Sequence, residues 1–194
     1  MQFIRFPLTL KPVATYEFCT AHKKNNEAYL DKKAYCSDGK YPDCIPALIG
    51  EMSRILDWSS KPKRNEPYLD HCINKHDNVP LWVIMNNLYL GQAFRFYDYL
   101  PESIRFPIER RLKALYDETH FEVKRITHKD LKNAFGHIED FRNKCAHDER
   151  LYCAQIDKSG STKFKDAIDG LELVLAAKQF SCLTRGITNI ITGT

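Results

Sequence analysis

A chain of 194 residues is long enough to bury a substantial core and fits one domain of ordinary size. Its net charge of +4 is compatible with a polyanionic partner but falls well short of the basic bias of a dedicated nucleic-acid coat. No apolar run has the length of a membrane-spanning helix, Met1–Pro7 lacks the marks of a secretion signal, and seven scattered cysteines make a poor disulfide framework, so a cytoplasmic protein with no membrane partner is expected.

Residues 1–12 alternate apolar positions but contain Pro7 and Pro12, which predicts an extended N-terminal arm or edge strand ahead of a single helical domain over 13–194. Ala14, Phe18 and Ala21 have helical spacing. The stretch from Asn25 to Cys44, with Gly39 and Pro42, reads as a long loop. Lys23, Lys24, Lys32, Lys33 and Lys40 read first as its solvated surface and second as an RNA contact. Ile45, Leu48, Ile49, Met52, Ile55 and Leu56 then repeat at three and four residues, with Pro46 suited to a first turn, and predict the clearest amphipathic helix of the chain. Lys61–Asn65 breaks it, and Tyr68, Leu69, Cys72 and Ile73 suggest a short helix beyond.

Pro80 opens a dense apolar segment through Leu88, expected to be a central helix with Trp82 in the core. After Pro101 comes a basic helical segment carrying Arg105, Arg110, Arg111 and Lys113, which Pro107 is expected to interrupt, and then a loop with Lys124 and Arg125. Thr127-His128-Lys129-Asp130 has the pattern of an N-terminal cap with an acid in the first turn, and the helix it starts should run to about Tyr152. A turn over Lys158–Ser161 precedes one final helix marked by Ala167, Leu171, Val174, Leu175, Lys178 and Leu183. The expected fold class is an all-α bundle.

Chemistry concentrates in the window Asp140–Tyr152. At about 100° per residue, Ala134, Ile138, Phe141, Cys145 and Tyr152 share one stripe while Glu139, Asn143, His147 and Arg150 fall opposite, with Arg142 at the edge of the stripe. One face can bury and the other can work.

The string Arg142-Asn143-x-Cys145-Ala146-His147-x-x-Arg150-Leu151 resembles the signature of the Abi-like (AbiD/AbiF) abortive-infection family, whose RNA-directed members belong to the HEPN superfamily with its arginine, short spacer, histidine motif. A second block, Val79–Ile84 followed by Gly91 and Phe94-Arg95-Phe96-Tyr97, resembles the segment that precedes this signature in the family. The resemblance covers about residues 13 to 175, and the chain is expected to be shortened at its N-terminus relative to family members. It implies a HEPN-like helical bundle, a metal-independent RNA endonuclease without cofactor, and an abortive-infection (anti-phage) effector or toxin. It also implies a homodimer with facing motifs, Arg142 and His147 as the catalytic pair and Asn143 as a positioning residue. An RNA or protein antitoxin is a candidate partner.

The residues support this chemistry on their own terms. Cleavage by the 2′-hydroxyl needs a base, an acid and positive charge on the phosphate. An imidazole exchanges protons near neutrality and a guanidinium presents a planar charged fork, which assigns His147 to proton transfer and Arg142 to phosphate. Arg150, Lys144, Arg110 and Arg111 are candidate RNA contacts. The alternatives are a non-catalytic helical module that binds RNA or protein through the same face, and an inactive truncated remnant. Zinc is disfavoured because His71-Cys72-x-x-x-His76 and the Cys36, Cys44 pair lack the usual ligand spacing. Cys145 reads as packing, since residues two apart on a helix do not face each other and His147 cannot serve it.

Overall fold

The computed structural model describes residues 7–36, 39, 41–59, 71–72, 75, 78–122, 124–146 and 164–192, and among them every regular element is a helix. The chain is all-α, as its periodicities imply. It divides into two compact units, Leu10–Ile108 and Met1–Thr9 with Glu109–Thr194.

In the Leu10–Ile108 unit the first helix, α1, spans Pro7–Ala21 and corrects the expectation of an extended arm over residues 7–12; residues 1–6 lie outside the described set. Pro7 stands at the first position, where its missing N–H is harmless, but Pro12 lies inside the helix. An interior proline costs about 3 kcal/mol. Burying Leu10, Val13 and Phe18, each no more than 8% exposed, returns roughly 5 to 9 kcal/mol, so tertiary packing outweighs the local penalty.

The following lysine-bearing stretch is a connection, as expected, yet it is anchored. It holds two short 3₁₀ turns, Ala28–Leu30 and Lys32–Ala34, and buries Tyr29 and Tyr35. The Tyr29 hydroxyl donates to the Val79 carbonyl and the Tyr35 hydroxyl to the Tyr29 carbonyl, both at 2.7 Å. Tyr35 also packs edge-on to Phe96, with ring centroids 5.9 Å apart, and Phe96 meets Phe18 at 5.2 Å. Burial pushes both tyrosine hydroxyls above their ordinary range, so they stay neutral donors.

Helix α2 (Cys44–Ser59) buries Ile45, Leu48 and Met52 at the predicted spacing. Of the short helix expected after it, Cys72 is buried, whereas Tyr68, Leu69 and Ile73 lie outside the described residues. Pro80 is the N-cap of α3 (Leu81–Asn87), in which Leu81, Val83, Ile84 and Met85 are buried. Trp82 is 52% exposed and is not the core residue expected from the apolar run, because its position lies between buried ones on a helix too short to be covered all round. Lys11 Nζ donates to the Leu88 carbonyl at 2.7 Å just past α3. Helix α4 (Leu90–Asp98) carries the Phe94–Tyr97 block, with Phe94, Phe96 and Tyr97 buried and Arg95 paired to Glu51 at 3.7 Å.

Helix α5 (Glu102–Asp117) runs through Pro107 without interruption. The carbonyl deprived of its partner belongs to Ser103, an exposed residue near the helix start, where water can serve it.

The Glu109–Thr194 unit contains α6 (His128–Ala146), α7 (Phe164–Glu172) and α8 (Ala177–Thr192). The start of α6 is where the cap pattern put it; its expected extension to Tyr152 and the turn over Lys158–Ser161 lie outside the described residues. The single final helix is in fact two, because the chain turns over Leu173–Ala176 and buries Leu175 there. No glycine or proline marks that break, so periodicity alone could not show it.

Candidate functional site

The signature begins on α6, and local chemistry sets how that helix starts. Thr127 N–H donates to Asp130 Oδ2 at 2.9 Å, the Thr127 hydroxyl donates to the same oxygen at 2.6 Å, and Asp130 N–H donates back to Thr127 Oγ1 at 3.3 Å. This reciprocal box satisfies donors that a helix start otherwise leaves open. The Thr127 hydroxyl is also the chief cause that holds the Asp130 carboxyl below its usual range; partial burial opposes it, and the Thr127 amide, Lys124 and Lys129 reinforce it. An ionised carboxylate in the first turn complements the positive end of the helix.

From that start Leu131, Ala134, Phe135, Ile138 and Phe141 are each no more than 3% exposed. This helix and the residues just before it pack on α7. A Cβ on Gly170 would stand 2.9 Å from Ala134 Cα, so glycine permits the close approach of the two backbones. The rings of Phe141 and Phe164 meet edge to face with centroids 5.5 Å apart. Lys124, just before α6, bridges Glu172 at 3.3 Å. Low numbers on one side meet high numbers on the other, so α7 runs antiparallel to α6 and clamps the turns that lead into the signature.

Arg142, Asn143 and Lys144 lie on the last described turns of α6. His147 and Arg150 lie outside the described residues. The structure thus places the backbone of Arg142 and Asn143 on a helix clamped by α7.

Among the basic candidates, Arg110 and Arg111 are exposed on α5. Arg105 is half-buried and donates from Nη1 to the Asp98 carbonyl at 3.4 Å, while Lys113 pairs with Asp117 one turn on. Lys124 is engaged by Glu172, and Arg110, Arg111 and Arg125 are exposed. Among the described residues no three His, Cys, Asp or Glu side chains are grouped to hold a metal ion, and His76 lies outside them.

Two arrangements escaped sequence reasoning. His128 Nδ1 stands 3.5 Å from Glu109 Oε1, joining the start of α6 to α5, an attraction present when the imidazole is protonated. In the other unit His22, Asn25, Asn26 and Asn78 converge on one cavity; the adjacent Asn25-Asn26 amides were its only sequence signal, because Asn78 is distant in the chain.

Compared with known proteins, the chain matches over residues 4–153 the family described as "Abi-like protein". The matched span takes in both the Val79–Tyr97 block and the whole signature through Tyr152. No curated protein matches the chain, and no solved structure does.

Proposed function

The chain belongs to the Abi-like family, and on that footing we propose that it is an RNA endonuclease of the HEPN type acting in abortive infection, in the cytoplasm and as a homodimer. The observation that carries the reading is the string Arg142-Asn143-x-Cys145-Ala146-His147-x-x-Arg150 inside the matched span, of which Arg142–Ala146 lie on a helix that is capped at its start and clamped by α7.

The reaction follows from the side chains. The ribose 2′-oxygen, losing its proton to a base, attacks the adjacent phosphorus; the bond to the 5′-oxygen breaks, and that oxygen takes a proton from an acid. The products are a 2′,3′-cyclic phosphate and a 5′-hydroxyl. His147 moves the proton and Arg142 meets the phosphate oxygens as their negative charge grows, with Asn143 orienting the group and Arg150, Lys144, Arg110 and Arg111 holding the strand.

Helical phase supports a site shared by two chains. Arg142 and His147 are five apart, about 140° on a regular helix, so one chain cannot easily aim both at one phosphate, whereas two facing helices related by a two-fold axis can. The second reading is a non-catalytic helical module that binds RNA or protein through the same face. Incubating the purified protein with mixed RNAs and EDTA separates the two. Cleavage leaving 2′,3′-cyclic ends is expected, and intact RNA from folded protein between about pH 6 and 9 would exclude the nuclease.

A further inference from the structure

In the Leu10–Ile108 unit, the end of α1, the turn after it and the segment entering α3 line a partly open cavity of about 160 Å³. We propose that this cavity holds one unpaired nucleobase of an RNA strand. The inference rests on RNA being the substrate.

Size comes first. Pockets for drug-sized ligands and cofactors run from about 300 to 1,000 Å³. This one is roughly half the lower limit, which suits a single small heterocycle rather than a whole cofactor.

The lining then selects the kind of heterocycle. Phe18 and Leu81 give it an apolar wall; His22, Asn25, Asn26 and Asn78 give it a polar one, and among the described residues no carboxylate, lysine or arginine lines it. Such a wall suits an uncharged ring with donors and acceptors along its edge. Carboxamides present a donor and an acceptor side by side, the pattern that pairs with base edges, and unpaired bases are commonly read between aromatic rings and such groups.

Two of these side chains are preset. A carbonyl can only accept, so the 3.0 Å contact of His22 Nδ1 with the Phe18 carbonyl puts the ring proton on Nδ1 and leaves Nε2 as an acceptor in the neutral ring. The His22 ring also lies against Phe18, with centroids 4.3 Å apart. Asn25 Oδ1 accepts from Glu27 N–H at 3.0 Å, which leaves the amide NH₂ to donate.

The connecting turn supplies the remaining requirement. Lys23 and Lys24 stand exposed between His22 and Asn25, where they can meet the phosphates flanking a bound base.

Cys19 is exposed and lines the cavity, which makes it a reporter that needs no cleavage. The rate at which iodoacetamide modifies Cys19 in the full chain is read by peptide mass spectrometry, alone and with each of the four ribonucleoside 5′-monophosphates or with ribose 5-phosphate. At least one nucleotide is expected to slow modification several-fold while ribose 5-phosphate does not. The Asn26→Ala/Asn78→Ala variant is expected to lose that protection while its unliganded rate stays as in wild type. Protection by no nucleotide beyond that of ribose 5-phosphate overturns the proposal, and this wild-type comparison decides it even if the variant does not fold. Because the assay is independent of cutting, protection in a protein that cleaves no RNA defeats the nuclease and leaves the base pocket, whereas cleavage without protection does the reverse.

Discussion

At the scale of residues, Arg142 has a proposed chemical part, contact with phosphate, and a structural one as a residue of α6. Substitutions separate them. His147→Ala and Arg142→Ala are both expected to abolish cleavage. Arg142→Lys, which keeps the charge but not the bidentate fork, is expected to keep the wild-type melting temperature and lose most activity. An Arg142→Lys protein that is fully active would reduce the arginine to a simple charge, and an Arg142→Ala protein melting far below wild type would favour the structural reading. Asp130 offers a test by pH. Its folded pKa is depressed, so its contribution to stability is fully present above the unfolded value of about 4 and is lost as pH falls through the still lower folded value. Asp130→Asn should therefore melt below wild type at neutral pH, and the gap should narrow in acid as the wild-type carboxylate protonates. Thr127→Ala, which removes the cap itself, should cost about 1 kcal/mol.

At the scale of elements, α6 carries the start of the signature and packs on α7, and their contact is close enough to be broken in two opposite ways. Phe141→Ala empties a site that is 1% exposed and should destabilise by about 3 to 5 kcal/mol. Gly170→Ala fills one. Replacing a helical glycine by alanine ordinarily gains about 1 kcal/mol in helix propensity. Here the new methyl meets the Ala134 backbone, and overpacking of about 1 to 3 kcal/mol should outweigh the gain. Chemical denaturation of both variants checks the sign, and a stabilised Gly170→Ala protein would mean that the two helices can separate without loss.

At the scale of the whole molecule, the proposed dimer and the proposed RNA path each make a quantitative demand. Equal amounts of Arg142→Ala and His147→Ala proteins, unfolded and refolded together, should give half mixed dimers with one intact site each, or about a quarter of wild-type activity. No activity from a preparation shown to contain mixed dimers would sink the shared site. Charge reversal of Arg110 and Arg111 should weaken RNA binding regardless of sequence. If each meets one phosphate of a single strand, the salt dependence of log K should flatten by about 1.4, at about 0.7 per phosphate. An unchanged slope would move the strand elsewhere, with Lys23 and Lys24 the next candidates.

Local patterning was enough to determine the helical class, the span of α2, and the Thr127–Asp130 cap that starts the signature helix, because each depends on residues within a turn or two of one another. The family was legible for a similar reason, since its two blocks are contiguous strings. Only the tertiary structure decided that α1 would carry Pro12, that Trp82 would face solvent, that the last helical run would split at Leu175, and that Asn78 would join His22 at one cavity. These outcomes rest on burial against residues distant in the chain, whose free energy exceeds the local preferences that sequence periodicity reports.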